Sequence, residues 1–264
     1  MSAAVSELDR ARALLERMGF ECAPRVLAEL LERAVRENLS LAQFLELVVG
    51  TERDFREERR VRTALKLSGL PIGKTIDAYD FGFARGVDRQ KVEMLATCEF
   101  AKRRENVLLL GDPGLGKSHL GAAIGVKCIE NGFSVAYVTA DELLEMLRRD
   151  EEQNRRRQLR RKYMTAAVLV VDELGFQELE RRDAAALFRV VAHRYERSST
   201  IITSNKGVGD WPKMLAGDEV IATAILDRLL HHCHVVRFEG PSWRLKELEE
   251  AAVATTKSRR ASSR

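Results

Sequence analysis

The octet Gly111-Asp112-Pro113-Gly114-Leu115-Gly116-Lys117-Ser118 restricts the fold of this 264-residue chain more than any other stretch. It matches G-x-x-x-x-G-K-[ST], a pattern that has chemical meaning only between a strand and a helix. Both flanks comply: an apolar run over 106–110 leads in, and a segment of helical character over 119–130 leads out. Glycines let backbone N–H groups turn inward around phosphate oxygens, and the start of the helix adds a field that favours anions. Lys117 is placed to reach the β- and γ-phosphates of a nucleotide, and Ser118 to ligate Mg²⁺ through its hydroxyl. Asp112, Pro113 and Leu115 fill the variable positions, and His119 follows at the point where the helix leaves the phosphates. The cofactors implied are ATP and Mg²⁺.

From about residue 105 onward, short apolar strands alternate with helical segments. The strands fall at 107–110, 135–139, 168–171, 200–203 and 234–238. That alternation predicts an α/β fold, a parallel sheet with helices on both faces. Such sheets bind ligands at the C-terminal ends of their strands, and two of these strands end in polar chemistry. The run Ala167-Val-Leu-Val-Val171 ends in Asp172-Glu173. Asp172 suits holding Mg²⁺ through its water shell, and Glu173 suits polarising an attacking water. The run Thr200-Ile-Ile-Thr203 ends in Ser204-Asn205, with Asn205 placed to orient that water.

Residues 8–66 read as helical, with Ser40 as an N-cap and a long helix from Leu41 to Thr63. The acidic half of the charge run 52–66 reads as a solvated helix face laced with ion pairs. Gly69, Pro71 and Gly73 break the pattern. This gives a helical N-terminal domain over 1–70, an ATPase domain over 71–250 and a basic disordered tail over 251–264. No run of 18 apolar residues is present, which argues against a transmembrane helix. The first 20 residues lack a secretory pattern and the four cysteines lack paired spacing, so a cytoplasmic protein with reduced thiols is expected. The net charge of +4 matters less than its distribution. His231-His232-Cys233-His234 has the wrong spacing for a tetrahedral zinc site and reads as the end of a helix and the start of the last strand.

The P-loop, VLVVDE and IITSN in this order resemble the AAA+ ATPases. VLVVDELGFQELE, HRYERSSTIITSNKGVGDW and IATAILDRLLHHCHVVRFEGPSWRLKE resemble IstB-like transposition helper ATPases, relatives of the DnaC-like helicase loaders. The resemblance implies an AAA+ domain behind a small all-helical domain. It implies self-association into a ring or helical oligomer on duplex DNA, and cooperation with a cognate transposase in target-site selection. The alternative is loading of a replicative helicase. It also implies an arginine finger acting across a subunit interface at Arg228. The chain ends soon after Trp243-Arg244, so a full helical lid of the usual AAA+ kind is not expected, and Arg244 is the residue placed to substitute as a second nucleotide sensor. Initiator-clade ATPases resemble one another in carrying a helical insertion before the Asp-Glu strand. Here that region reads RRDEEQNRRRQLRRK, and Arg155, Arg156, Arg157, Arg160, Arg161 and Lys162 are its candidate phosphate contacts. A P-loop also occurs in small-molecule kinases and in non-hydrolysing adaptors, but Glu173 and Asn205 suit water as the acceptor.

Overall fold

A computed structural model describes residues 6–82, 86–153 and 162–240. The chain divides into two compact units, Met1–Thr63 and Ala64–Arg264, and the division falls inside one helix rather than at the glycine-rich break.

The first unit holds α1 (Glu7–Arg17), α2 (Ala23–Arg36) and the greater part of α3 (Leu41–Ser68). The helical pattern is interrupted twice, at Gly19 and Asn38, both of which adopt left-handed backbone. Ser40 caps α3 reciprocally: its hydroxyl accepts from the Gln43 N–H, and its own N–H donates to the Gln43 carboxamide. Ala23, Leu27, Leu30 and Val48 form the buried centre, with Leu15, Phe20 and Phe44 packed around it.

One charge in the run after Thr51 is not on a solvated face. Glu52 is 2% exposed. Its carboxylate accepts the N–H groups of Glu21, Cys22 and Ala23 at 2.9, 2.8 and 3.1 Å, where α2 begins without a side-chain cap of its own. Arg56 donates to it one turn further on. Burial works to raise the pKa of Glu52, but these donors outweigh it and hold the group down at about 2, from an ordinary 4.5. Each buried donor left unpaired costs about 1–3 kcal/mol. Glu52→Ala is therefore expected to cost about 3 kcal/mol in this unit and to speed amide exchange across α2 about 100-fold, read by hydrogen–deuterium exchange on the full chain. Because the folded pKa is depressed, this stabilisation is present above about pH 4.5 and is lost as pH falls toward 2.

The second unit is built on five parallel strands: β1 (Asn106–Gly111), β2 (Val135–Thr139), β3 (Val168–Leu174), β4 (Ser199–Ser204) and β5 (Cys233–Phe238). Their order across the sheet is β2-β3-β4-β1-β5. Short helices α4 (Arg89–Ala96) and α5 (Glu99–Lys102) precede the sheet. Helix α6 (Lys117–Glu130) lies over the face bearing Leu109, Val170 and Thr203, close enough that a side chain at Gly121 would touch all three. Helices α7 (Ala140–Gln153), α8 (Arg181–Arg194), α9 (Trp211–Met214) and α10 (Glu219–Leu230) follow the later strands. Their residues Leu143, Leu187, Trp211 and Ile225 join one core with Leu108, Leu169, Val171 and Ile202 from the opposite face.

The strands are runs of β-branched and aliphatic residues because both faces of a parallel sheet are covered. Asn106 ties the start of β1 down on both sides. Its carboxamide accepts from the Thr200 N–H and donates to the Leu229 carbonyl at the end of α10. As the sequence predicts, α10 ends at Leu230 and β5 starts at Cys233. His231 turns to the Tyr195 hydroxyl at 2.9 Å, while His234 turns to Glu105 at 2.7 Å.

Candidate functional site

The C-terminal ends of β1, β3 and β4 open onto a cavity of about 660 Å³, a volume suited to a nucleotide. The loop Gly111–Ser118 forms its floor. Gly116 sits at φ 84° as the N-cap before α6, and a Cβ there would lie 2.8 Å from the Tyr79 ring. Gly111 has as little room: a Cβ would meet the Phe238 carbonyl at 2.4 Å. Both positions pack the loop backbone against Phe238 and Tyr79 more closely than a side chain would allow, which holds the loop in one conformation. Lys117 is 8% exposed, and its ammonium donates to the Asp112 carbonyl at 2.6 Å, within the loop it serves. Pro113, Gly114, Leu115, Ser118 and His119 also line the cavity.

Tyr79 closes one side. Its hydroxyl donates to the Leu115 carbonyl at 3.2 Å, and burial, reinforced by Asp80, pushes its pKa up to about 12. His119 stacks edge-on against it and meets the Thr75 carbonyl at 2.8 Å. Phe81 packs against Tyr79 from behind, edge to ring at 4.9 Å. The run 71–80, which follows the break at Gly69, Pro71 and Gly73, thus supplies a wall of the cavity.

Asp172, Glu173 and Asn205 line the opposite side. Successive residues on a regular strand point to opposite faces, so Asp172 and Glu173 need a distortion to share one cavity. Glu173 provides it. Its φ is 61°, the register between β3 and β4 slips between Val171 and Leu174, and the Glu173 N–H donates to the Thr203 hydroxyl at 2.9 Å. Asp172 is 4% exposed, and each of its carboxylate oxygens accepts a hydroxyl. Oδ1 accepts from Thr203 and Oδ2 from Tyr137, both at 2.5 Å. Burial, then the bond to Asp172, pushes the Tyr137 pKa well up, so this phenol stays a donor. Asn205 Oδ1 is buried at the cavity wall with no hydrogen-bond partner among the described residues. It is an acceptor with nothing yet to accept.

The structure thus brings together Lys117, Ser118, Asp172, Glu173 and Asn205. It does not bring Arg228 to them. Arg228 lies on α10, packed on the other face of the sheet, with its guanidinium 5.1 Å over the Phe188 ring and donating to the Ala224 carbonyl. Arg155, Arg156, Arg157, Arg160, Arg161 and Arg244 lie outside the described residues. Lys162, grouped with them by charge, has its ammonium on the Leu67 carbonyl at 2.6 Å, and burial lowers its pKa. Residues on either side of the basic stretch are held to α8. Arg148 makes a two-point ion pair with the buried Asp183, and Arg194 donates to the carbonyls of Tyr163, Met164 and Ala166. Thr203 lies inside the IITSN motif but carries no expected role in the sequence, and nothing local marks Tyr79 or Tyr137.

A strand, phosphate loop and helix, with an Asp-Glu pair at the end of a nearby parallel strand, define a P-loop nucleotide-binding domain of the AAA+ fold. The DnaC helicase loader superposes on 64% of this chain and 98% of its own at a TM-score of 0.53 and 16% identity. A replication initiator DnaA bound to AMPPCP and single-stranded DNA covers 69% of this chain and 55% of its own, at 0.52 and 20%. More specifically, the chain belongs to the IstB-like ATP binding proteins, whose family pattern spans residues 13–251. A relative in Pseudomonas aeruginosa, named for the insertion sequence IS21 and for ATP binding, is 41% identical over 92% of this chain and 91% of its own. Another in Geobacillus stearothermophilus, named for IS5376 and ATP binding, is 40% identical over 82% and 86%. Among the described residues no helix is long and apolar enough to cross a membrane.

Proposed function

We propose that this protein is an ATP hydrolase that assembles on duplex DNA and assists a transposase in choosing its target during transposition. The observation that carries the reading is the convergence of Lys117, Ser118, Asp172, Glu173 and Asn205 on one cavity. The residues fit ATP with Mg²⁺: a glycine-rich loop leads into the start of α6 beside Lys117 and Ser118, and Asn205 Oδ1 is an acceptor, unpaired among the described residues, in the cavity that Glu173 also lines. Mg²⁺, when bound, neutralises phosphate charge and aligns the leaving oxygens. Lys117 binds the β- and γ-phosphate oxygens, Ser118 and Asp172 hold the metal's shell, and Glu173 takes the proton of a water that Asn205 orients. Arg228 completes the site of a neighbouring chain, which accounts for its distance from the site of its own. Relatives named for insertion sequences at 40–41% identity favour the transposition reading over helicase loading.

In this reading the basic stretch 155–161 grips DNA phosphates without regard to sequence. A triple Arg155/Arg156/Arg157→Ala chain is expected to bind duplex DNA at least tenfold more weakly, with the slope of log affinity against log salt reduced by about 2–3. Fluorescence anisotropy across a salt series measures both. Unchanged affinity and slope would remove this surface from the proposal.

A further inference from the structure

Tyr137 belongs to no nucleotide-binding motif, yet its hydroxyl is one of two that touch Asp172. Strand β2 pairs with β3 in parallel, with Tyr137 opposite Val170 and Thr139 opposite Asp172. Tyr137 and Asp172 therefore share a face as diagonal neighbours, a separation that an aromatic side chain spans. Thr203 stands on the other side of β3, on β4. The carboxylate is gripped from both flanking strands, one hydroxyl to each oxygen, 2.5 Å on either side. Two donors on different oxygens fix its rotation about Cβ–Cγ. Ionised carboxylates have about four acceptor sites, so each oxygen keeps a lone pair for the water shell of a metal.

We propose that Tyr137 is a positioning residue that holds Asp172 in the orientation this site uses to retain Mg²⁺; this rests on the reading of the cavity as an ATP site. Thr203 has a second duty, since it also accepts the Glu173 N–H. Replacing it would disturb Asp172 and Glu173 together. The Tyr137 hydroxyl has the Asp172 carboxylate as its partner, so Tyr137→Phe removes one donor and keeps the ring that lines the cavity. Groups that orient metal ligands from behind typically alter metal affinity about 10–100-fold when removed.

The test uses the full chain and a fluorescent ATP analogue, titrated with Mg²⁺ and, separately, in EDTA. Tyr137→Phe is expected to raise the Mg²⁺ concentration giving half-maximal enhancement of binding about tenfold. Metal-free affinity should stay within about twofold, because the phosphate loop is untouched. In an Asp172→Asn background the same substitution should change the Mg²⁺ dependence no further, since the carboxylate it orients is gone. An unchanged Mg²⁺ requirement, or an equal loss with and without metal, overturns the proposal and leaves Tyr137 a packing residue. A parent chain that binds no nucleotide overturns the ATP reading and this inference with it. A parent chain that binds nucleotide but ignores Mg²⁺ overturns this inference alone.

Discussion

Glu173→Gln is expected to leave ATP binding within a few-fold of the parent chain while slowing hydrolysis by at least about 100-fold. The substitution keeps the shape of the side chain and removes only its capacity to take a proton. Glu173 does not grip the phosphate loop, and its backbone is held independently by the Thr203 hydroxyl. Its left-handed backbone, φ 61°, is strained for a residue with a side chain. The strain persists because it swings the carboxylate onto the same cavity as Asp172, which a regular strand would not permit. Single-turnover hydrolysis alongside equilibrium nucleotide binding separates the two effects. Hydrolysis at the parent rate would make Glu173 idle and point to a nucleotide-dependent adaptor. Phosphate appearing on a small molecule instead of in water would point to a kinase.

The second large effect concerns Arg194, a residue with no part in the chemistry. It is 1% exposed. Its guanidinium donates to the carbonyls of Tyr163 and Ala166 at 2.8 and 2.9 Å, that of Ser199 at 2.5 Å and the Thr200 hydroxyl at 3.1 Å. Burial lowers its pKa to about 9, so it remains charged at neutral pH. Every bond it makes among the described residues ends on a neutral oxygen, so its charge is carried by carbonyl dipoles. Those carbonyls flank the starts of β3 and β4, the strands whose far ends hold Asp172, Glu173 and Asn205. Arg194→Ala would leave several buried acceptors unpaired and a cavity in the core. A loss of about 4 kcal/mol is expected, large against the 5–15 kcal/mol of a typical domain. Arg194→Lys should recover little of it, because an ammonium cannot reproduce the planar fork. Urea denaturation of the full chain, followed at the second unit by hydrogen exchange of β3 and β4, gives the value. A shift below about 1 kcal/mol would mean that water replaces the guanidinium.

Most of the five-stranded sheet is legible in the sequence, because buried parallel strands must be apolar throughout and few other segments are. All five strands lie where the apolar runs put them, within a few residues. β3 extends three residues beyond its apolar run, through Asp172 and Glu173 to Leu174, because Thr203 and the bulge keep these polar residues attached to the sheet. Lys117 and Ser118 carry their meaning in local spacing, and Asp172 and Asn205 carry theirs in the order of strand ends that follows the phosphate loop. Tyr79 and Tyr137 do not: they reach the site only through the order β2-β3-β4-β1-β5 and the fold of 71–80 back onto the loop, neither of which leaves a local mark. Glu52 and Arg194 were hidden for a different reason. Each stands in a run of charges whose neighbours do face solvent, and only the backbone groups around them distinguish a buried clamp from an exposed ion pair.

The two central expectations are that this cavity hydrolyses ATP and that a neighbouring chain completes it. The direct measurement is steady-state ATP hydrolysis per chain across a range of protein concentrations, with and without duplex DNA. Specific activity should rise with concentration and rise further with DNA, and Lys117→Ala should abolish it at every concentration. A specific activity that ignores both concentration and DNA, or one that survives in Lys117→Ala, would contradict the account.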